Sequence, residues 1–579
     1  MLYKMLGKIF GWNKSGEMPL NTDVISETEE TEEGAWAEPI ESEDEHDEHI
    51  EIIALGGQSE IGCMNCIAFV DVRNNDAVIC DFGIDVKTID SESEEASDAN
   101  GVDDDGDNGD DNRNHKSGTI LATRKGKRCP DLSPIAGKDI NLVCITHVHN
   151  DHVGGLPILY NKYPNIAVMT HPSNIGIIQE IFRKEGMKNL PPFIGEKVTR
   201  AGRFRIKRFP VNHSVKGSCG FMLELLEAGE DGEEDVRWRH VHTGDYKLWT
   251  PHFDKKSGII KDKNAEVFGG LARHGRINSL SIDSTNADKK DERNISEKRV
   301  RREIKAVLRK EPGRALISFL ASNALRAEGI IQTGHELARP VYVVGPQMHE
   351  FLHNERVSGW EDLLVRSKNN NCYEIYPPPD GGLEKAEDEN EEDIIHPRMP
   401  DNAIILCSGC LGEPRSFLDR LAKGEINFPY RQGDILINAQ STIPLREIQD
   451  RVENMLMSLG GRFNKHRQFD RIYLSSASPY IQERWYGDGA KFVRNPFIHS
   501  SGHGTREKIV KLQQLLEPEY TIPIHGGEGI RRVVAGLVTE VGGKPITIND
   551  GEKASFKLIT PSVQPEGFYC AKNLTKFLF

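Results

Sequence analysis

The sequence predicts an α/β protein in which a sheet-built part, bearing a rim of histidines and aspartates, is interrupted by an α/β insert. Three observations predict it. Five strand-like runs each stop at an Asp or His, namely Asp81, His147, His213, Asp245 and Asp283, and strands of a packed sheet deliver such residues to one rim. From about Ser296 the pattern changes to helix–strand alternation, and near Pro496 the rim-building pattern returns. At 579 residues the chain is too long for a single core, so two or more domains are expected.

Taken in order, Leu2, Met5, Leu6, Ile9 and Phe10 recur at helical spacing, which fits a frayed terminus or a short helix for a membrane surface or a partner. The stretch is too short for a signal peptide and lacks a small-residue cleavage site. Residues 15–49 are acidic and expected to be disordered. Strands are expected over 51–55, 66–72 and 77–80, the last ending at Asp81, before an acidic surface excursion at 90–118. The apolar run 140–145 then feeds His147, His149, Asp151 and His152. Three histidines and one aspartate within six positions suit Zn, Mn or Fe, and two clusters in one loop suit two metals a few ångströms apart. Further strands over 206–211, 237–242 and 277–282 end in Asn212-His213-Ser214, Thr243-Gly244-Asp245 and Asp283-Ser284-Thr285-Asn286.

In the insert, a charged helix over 297–309 precedes a strand over 315–320 that leads into Ser322 and Asn323. Strands follow over 341–344, 403–407 and 434–438, with a helix over 446–459 and an acidic loop at 380–393. Beyond it, His499-Ser500-Ser501-Gly502-His503-Gly504 precedes a helix over 506–516. The N-terminus of that helix, with Lys508 and Lys511, is a seat for phosphate. A last strand over 520–524 ends at His525.

The formal charge of −16 is unevenly placed. Residues 23–51 hold fourteen acids and 90–112 hold eleven, both without Lys or Arg, and 380–393 holds eight acids and one Lys. The remainder is basic, at +16, which fits a polyanion substrate with solvated acidic tails. Ten scattered cysteines form no disulfide-like framework, and a reducing cytoplasm is expected. Cys63/Cys66 and Cys407/Cys410 have the spacing of a zinc site but are expected to be small buried fillers. No apolar run is long enough to cross a membrane.

With these residues in place the chain resembles the metallo-β-lactamase-fold nucleases that carry a β-CASP insert, and within them ribonuclease J. The resemblance covers about residues 50–550. It rests on Gly56-Gly57 through Gly62, on Asp81, and on His147-x-His149-x-Asp151-His152. It continues through Asn212-His213-Ser214, His242-Thr243-Gly244-Asp245 and Asp283-Ser284-Thr285-Asn286. The later motifs are Ala321-Ser322-Asn323, Gly412-Glu413-Pro414, Ser501-Gly502-His503-Gly504 and Pro523-Ile524-His525-Gly526. Ser59 stands where the family has Gly, and Ile443-Pro444-Leu445-Arg446-Glu447 departs from its usual I-P-G-N-E. The stretch after His525 is expected to finish the sheet layer without the C-terminal domain of many bacterial members, which leaves a homodimer open.

The resemblance implies an αββα sandwich split by the insert. Residues 1–49 would be an extension, 50–290 and 476–579 the sandwich, and 291–475 the β-CASP domain. It implies one divalent ion on His147, His149, His213 and Asp245 and another on Asp151, His152, Asp245 and His525, zinc foremost with Mn or Mg as alternatives. Asp151, Asp245 and His503 are the implied catalytic residues, with Asp81 and Asp283 supporting the ligands. Ser322, Asn323, Ser501, Gly502 and His503 are expected at the substrate phosphate. The implied activity is metal-dependent hydrolysis of single-stranded RNA, by 5′→3′ exonuclease and endonuclease action in RNA processing and decay, alone or with other RNA-decay proteins. A DNA nuclease of the same insert family and a small-molecule metallo-hydrolase of the same fold are the alternatives.

Overall fold

The computed structural model describes residues 49–85, 121–122, 128–229, 232–248, 251–254, 259–290, 295–344, 348, 373–375, 400–425, 428, 430–441, 446–461, 469–475 and 490–558. The expectations for 1–48, 90–118, 380–393 and 443–445 lie outside these residues.

Two seven-stranded sheets face each other. The first runs, edge to edge, Lys553–Lys557, His49–Gly56, Cys66–Asp71, Asp76–Cys80, Asp139–Cys144, Ala167–Met169 and Phe193–Ile194. The second runs Lys544–Pro545, Tyr520–Ile524, Ser279–Asp283, Glu234–His242, Cys219–Ala228, Phe204–Pro210 and Val198–Ala201. The period-two alternation of a strand decides what meets what. From His49–Gly56, Ile50, Ile52 and Ala54 turn inward to meet Phe221, Leu223 and Ile522 of the second sheet. Ile53 and Leu55 turn outward to the helices Leu156–Lys162 and Pro172–Lys184, where Leu159, Ile178 and Phe182 cover them. The outer face of the second sheet is covered by Lys263–Ala272, Arg506–Leu516 and Glu528–Glu540 through Phe268, Leu512 and Val534. The result is the expected helix–sheet–sheet–helix sandwich, with the apolar area of both sheets buried on both faces.

The third sheet is parallel throughout its pairings, in the order Tyr373–Ile375, Val341–Val343, Ile404–Cys407, Ala315–Ser318, Ile435–Asn438, Arg471–Leu474 and Lys491–Arg494. Parallel strands buried on two faces need helices on both. Glu297–Lys310 and Ala324–Glu336 supply one face, Phe417–Lys423 and Arg446–Leu459 the other. The first of these shows the cause plainly. Ser296 caps it by accepting from Arg299 N, and Val300, Ile304, Val307 and Leu308 fall on one buried stripe. This sheet lies in sequence between Ser279–Asp283 and Tyr520–Ile524, two neighbours of the second sheet. The return to the sandwich comes after Arg494, not at 476, because Lys491–Arg494 pairs with Arg471–Leu474.

A buried ion pair ties together the starts of two neighbouring strands of the third sheet, Ala315–Ser318 and Ile435–Asn438. Arg314 Nε donates to Asp434 Oδ1 at 3.0 Å, its Nη2 to Oδ2, and its guanidinium lies 4.3 Å over Phe428. Both side chains are 1% exposed. Removing one partner leaves the other charge buried and unpaired, so Arg314→Met is expected to cost about 3–5 kcal/mol of stability, read as a lower urea midpoint.

Candidate metal centre

The strand ends converge as the sequence predicts, and local backbone geometry explains the aim. Asp81 and His525 follow their strands with φ of 61° and 60°, a left-handed conformation rare for such residues. Each turns its side chain back over the rim instead of continuing the strand's alternation. Gly83 lets the chain pass close to the metal-type loop: a Cβ there would meet Asp151 O at 1.8 Å.

The rim brings seven expected ligands into one cluster. His147 Nε2 lies 2.9 Å from His149 Nδ1, and His213 Nε2 lies 3.3 Å from that same nitrogen. Asp245 Oδ2 is 3.7 Å from His147 Nε2, 3.7 Å from His213 Nε2 and 3.4 Å from His152 Nε2. His525 Nε2 sits 3.3 Å from Asp151 Oδ2 and 3.7 Å from Asp245 Oδ1. His147, His149, His213 and Asp245 form one group whose donor atoms lie within 4.8 Å of one another, and Asp151, His152 and His525 form another. Asp245, Asp283, His503 and His525 form a third, which the sequence did not separate from its supporting residues.

Each of the five histidines has its other ring nitrogen held from behind. Thr146 Oγ1 is 3.0 Å from His147 Nδ1, Ser322 Oγ is 3.1 Å from His149 Nε2, and Gly502 O is 3.0 Å from His213 Nδ1. Asp81 Oδ2 is 2.7 Å from His152 Nδ1, and Thr285 Oγ1 is 2.6 Å from His525 Nδ1. The inward nitrogens of His147, His149 and His213 therefore point lone pairs, not donors, at one another, and Asp245 Oδ1 is buried with no hydrogen-bond partner. Converging acceptors of this kind are repulsive unless a cation stands between them, so the donor set fits two divalent ions.

The titration of these groups agrees. Burial pushes His149 down to about 4 and His213 down to about 3, and holds His147 well below its ordinary value, so these three are neutral, as ligands must be. Burial also opposes charge on His152 and His525, but Asp245, Asp151 and a third carboxylate on each side outweigh it and raise both. Burial likewise disfavours the Asp151 anion, yet His152 and His525 draw that carboxyl down to about 2. The carboxylates thus favour positive charge on His152 and His525 where a cation's charge belongs, and a metal bound there would take its place.

Around this cluster the structure sorts the other expected residues. Asp81 accepts from Thr146 N at 2.8 Å and from Thr146 Oγ1 at 2.9 Å as well as facing His152. Asp283 accepts from Thr285 N and Oγ1 and lies 2.8 Å from His503 Nδ1. Two of the residues expected at phosphate have internal partners as well. Asn323 Oδ1 caps its helix by accepting from Arg326 N, and Ser501 Oγ accepts from Asn286 Nδ2 at 2.7 Å and from His503 N. The helix Arg506–Leu516 has also spent its first N–H, since Arg506 N donates to Lys289 O at 3.1 Å. The cysteine pairs form no joint site: Cys66 lies in the sandwich core, and Cys407 and Cys410 lie in the third-sheet core, all free.

Sequence reasoning missed Thr146, Thr285 and Asn65. Asn65 Nδ2 donates to Asp151 O at 3.1 Å and lies 3.1 Å from His152 Nε2. Thr146 and Thr285 stand inside stretches already singled out, but nothing in spacing distinguishes a hydroxyl that pins a ligand from one that faces water. Gly502 is needed for space, since a Cβ would meet His213 Nδ1 at 2.4 Å. Gly502→Ala is expected to lower metal affinity about 10- to 100-fold, measured by chelator competition.

Residues 72–246 match the metallo-beta-lactamase superfamily model. The chain is 26% identical over 431 residues to ribonuclease J of Mycolicibacterium smegmatis, covering 72% of this chain and 64% of that protein. It is 26% identical over 395 residues to ribonuclease J of Thermus thermophilus, covering 66% and 57%. Against ribonuclease J of Mycoplasma genitalium it is 25% identical over 413 residues, covering 70% and 60%. The chain thus spans about three-fifths of the length of the curated relatives it matches. No helix among the described residues is long and apolar enough to cross a membrane. The chain is a metallo-β-lactamase-fold protein similar to ribonuclease J.

Proposed function

We propose that this protein is a metal-dependent ribonuclease that hydrolyses single-stranded RNA phosphodiester bonds, leaving 5′-phosphate and 3′-hydroxyl ends. The observation that carries this reading is the pair of pinned ligand clusters meeting at Asp245, directly beneath Ser322 of the third-sheet unit. Two divalent ions, zinc foremost, on His147, His149, His213 and Asp245 and on Asp151, His152, Asp245 and His525 would activate water and neutralise charge on the phosphate oxygens.

The chain's own groups do the rest. Asp81 and Thr285 keep His152 and His525 oriented, so the site changes little as charge develops. His503 holds its Nδ1 against Asp283 and offers Nε2 to the departing 3′-oxygen, which it protonates as the P–O bond breaks. Ser322, contributed by the insert and 3.1 Å from His149 Nε2, would orient a phosphate beside the ligands. The third-sheet unit is the β-CASP domain in this reading, closing a basic path for single-stranded RNA over the rim. The cytoplasm, 5′→3′ exonuclease action with preference for 5′-monophosphate, and additional endonuclease action belong to the same proposal.

The test is degradation of 3′-labelled single-stranded RNA bearing a 5′-monophosphate, 5′-triphosphate or 5′-hydroxyl, beside DNA of the same sequence. Stepwise loss from the 5′-monophosphate RNA is expected. Degradation of DNA alone would move the protein to the DNA-processing nucleases, and turnover of small esters alone to the small-molecule hydrolases.

A further inference from the structure

The two chain crossings between the sandwich and the third-sheet unit meet at a buried pair of cations that nothing in the metal centre uses. The outgoing crossing is Ile295–Glu297, and the returning one is His499–Ser501. Lys247, two residues beyond Asp245 and 4% exposed, reaches into both. Its Nζ donates to Ile295 O at 2.7 Å, to Ser500 Oγ, and to Ser501 O at 2.8 Å. Arg326, in the first turn of Ala324–Glu336 and 2% exposed, approaches from the third-sheet side. It donates to Glu297 Oε1 at 2.7 Å and Oε2 at 3.3 Å, to Ala439 O, and to Ser500 O at 3.4 Å, and its Nη1 lies 3.1 Å from His499 Nδ1.

Burying two cations costs free energy unless each is saturated with acceptors, so their placement at one junction calls for a reason. The acceptors supply it. Every one of them belongs to a crossing or, in Ala439, to the end of a central strand of the third sheet. The returning crossing runs straight into Gly502, whose carbonyl holds His213, and His503, which faces Asp283. A shift of this segment by an ångström moves a metal ligand and the group opposite the leaving oxygen together.

We propose that Lys247 and Arg326 form a clamp that sets residues 499–503 by locking both crossings, so that seating of the third-sheet unit positions His213 and His503. Both are positioning residues; neither touches metal or substrate. The catalytic half of this inference rests on the ribonuclease reading, whereas the mechanical half does not. Asn323 fits the same device: by capping the helix at Arg326 N it fixes where the guanidinium starts.

The test uses the full-length metal-loaded protein and the variants Arg326→Gln, Arg326→Lys and Lys247→Met. The first readout is hydrogen exchange. Peptides covering 295–297 and 499–503 are expected to exchange at least tenfold faster in Arg326→Gln, while peptides of the 145–155 loop do not change. The second is steady-state cleavage of RNA. For Arg326→Gln, kcat is expected to fall about 10- to 100-fold with KM within about threefold, because geometry at the reacting centre is lost while binding is kept. Arg326→Lys, which keeps a donor toward Glu297, is expected to recover part of the loss. Unchanged exchange at 499–503 would overturn the clamp, as would uniform loosening of the whole sandwich with loss of metal. Faster exchange in a protein whose wild type cleaves no RNA would keep the clamp and remove the ribonuclease reading. Lys247→Met should act in the same direction, and Arg326→Gln decides the matter if that variant does not fold.

Discussion

Asp245→Asn is expected to lower RNA cleavage by about a thousandfold or more. Among the described residues Asp245 is the one carboxylate within 3.7 Å of all of His147, His152, His213 and His525, and its Oδ1 has no hydrogen-bond partner. Asparagine keeps the volume but removes the charge and turns one ligand atom into a donor that repels a cation. Loss of metal-derived charge stabilisation amounts to several kcal/mol, and each 1.4 kcal/mol is about tenfold in rate. Measured together, kcat and metal content per chain check this: both should fall, whereas a variant that keeps two ions and near-normal turnover would remove Asp245 from the bridge. The packing of the two sheets does not depend on the substitution, so the thermal midpoint should change far less than the rate.

His503→Ala is expected to reduce kcat by about 10²- to 10⁴-fold with metal content and KM nearly unchanged. The ring stacks at 5.5 Å on His525 and packs edge-on at 4.9 Å from His213, yet it belongs to neither of the two ligand sets assigned above. Its tie to Asp283 leaves a single nitrogen for the substrate. A substrate with sulfur in place of the bridging 3′-oxygen needs no proton on departure, so it should be cleaved by His503→Ala almost as fast as by the parent protein. Equal impairment on both substrates would assign His503 to holding the loop, not to protonating the leaving group.

Much of this centre is legible in the sequence because metal ligation leaves a dense mark. His147, His149, Asp151 and His152 sit in six positions, and the strands before them are apolar enough to read. His213, Asp245 and His525 stand alone in sequence and are legible because each follows a strand-like run, largely apolar before His525 and interleaved with basic residues before the other two. The clamp is not legible. Lys247 and Arg326 are ordinary charged residues in sequence, and only the fold shows that both are buried and aimed at one junction. The internal bonds of Ser501 and Asn323 were not legible either, since a hydroxyl and an amide beside a site look alike in sequence whatever they bond. The strand Lys491–Arg494 was missed because its neighbours in the sheet are remote in sequence and its own four residues are half charged. The helix–sheet–sheet–helix layering, by contrast, shows in a strand such as His49–Gly56, whose nearly continuous apolar run needs cover on both faces.

The measurement that bears most directly on the account is metal titration of RNA cleavage. The chelated protein is supplied with zinc or manganese in steps, and loss of a 5′-monophosphorylated, 3′-labelled RNA is followed beside the bound metal per chain. Cleavage that is absent without metal and rises to a plateau at two ions per chain is the predicted result. Cleavage that persists after chelation, or a fully loaded protein that leaves RNA intact, would contradict it.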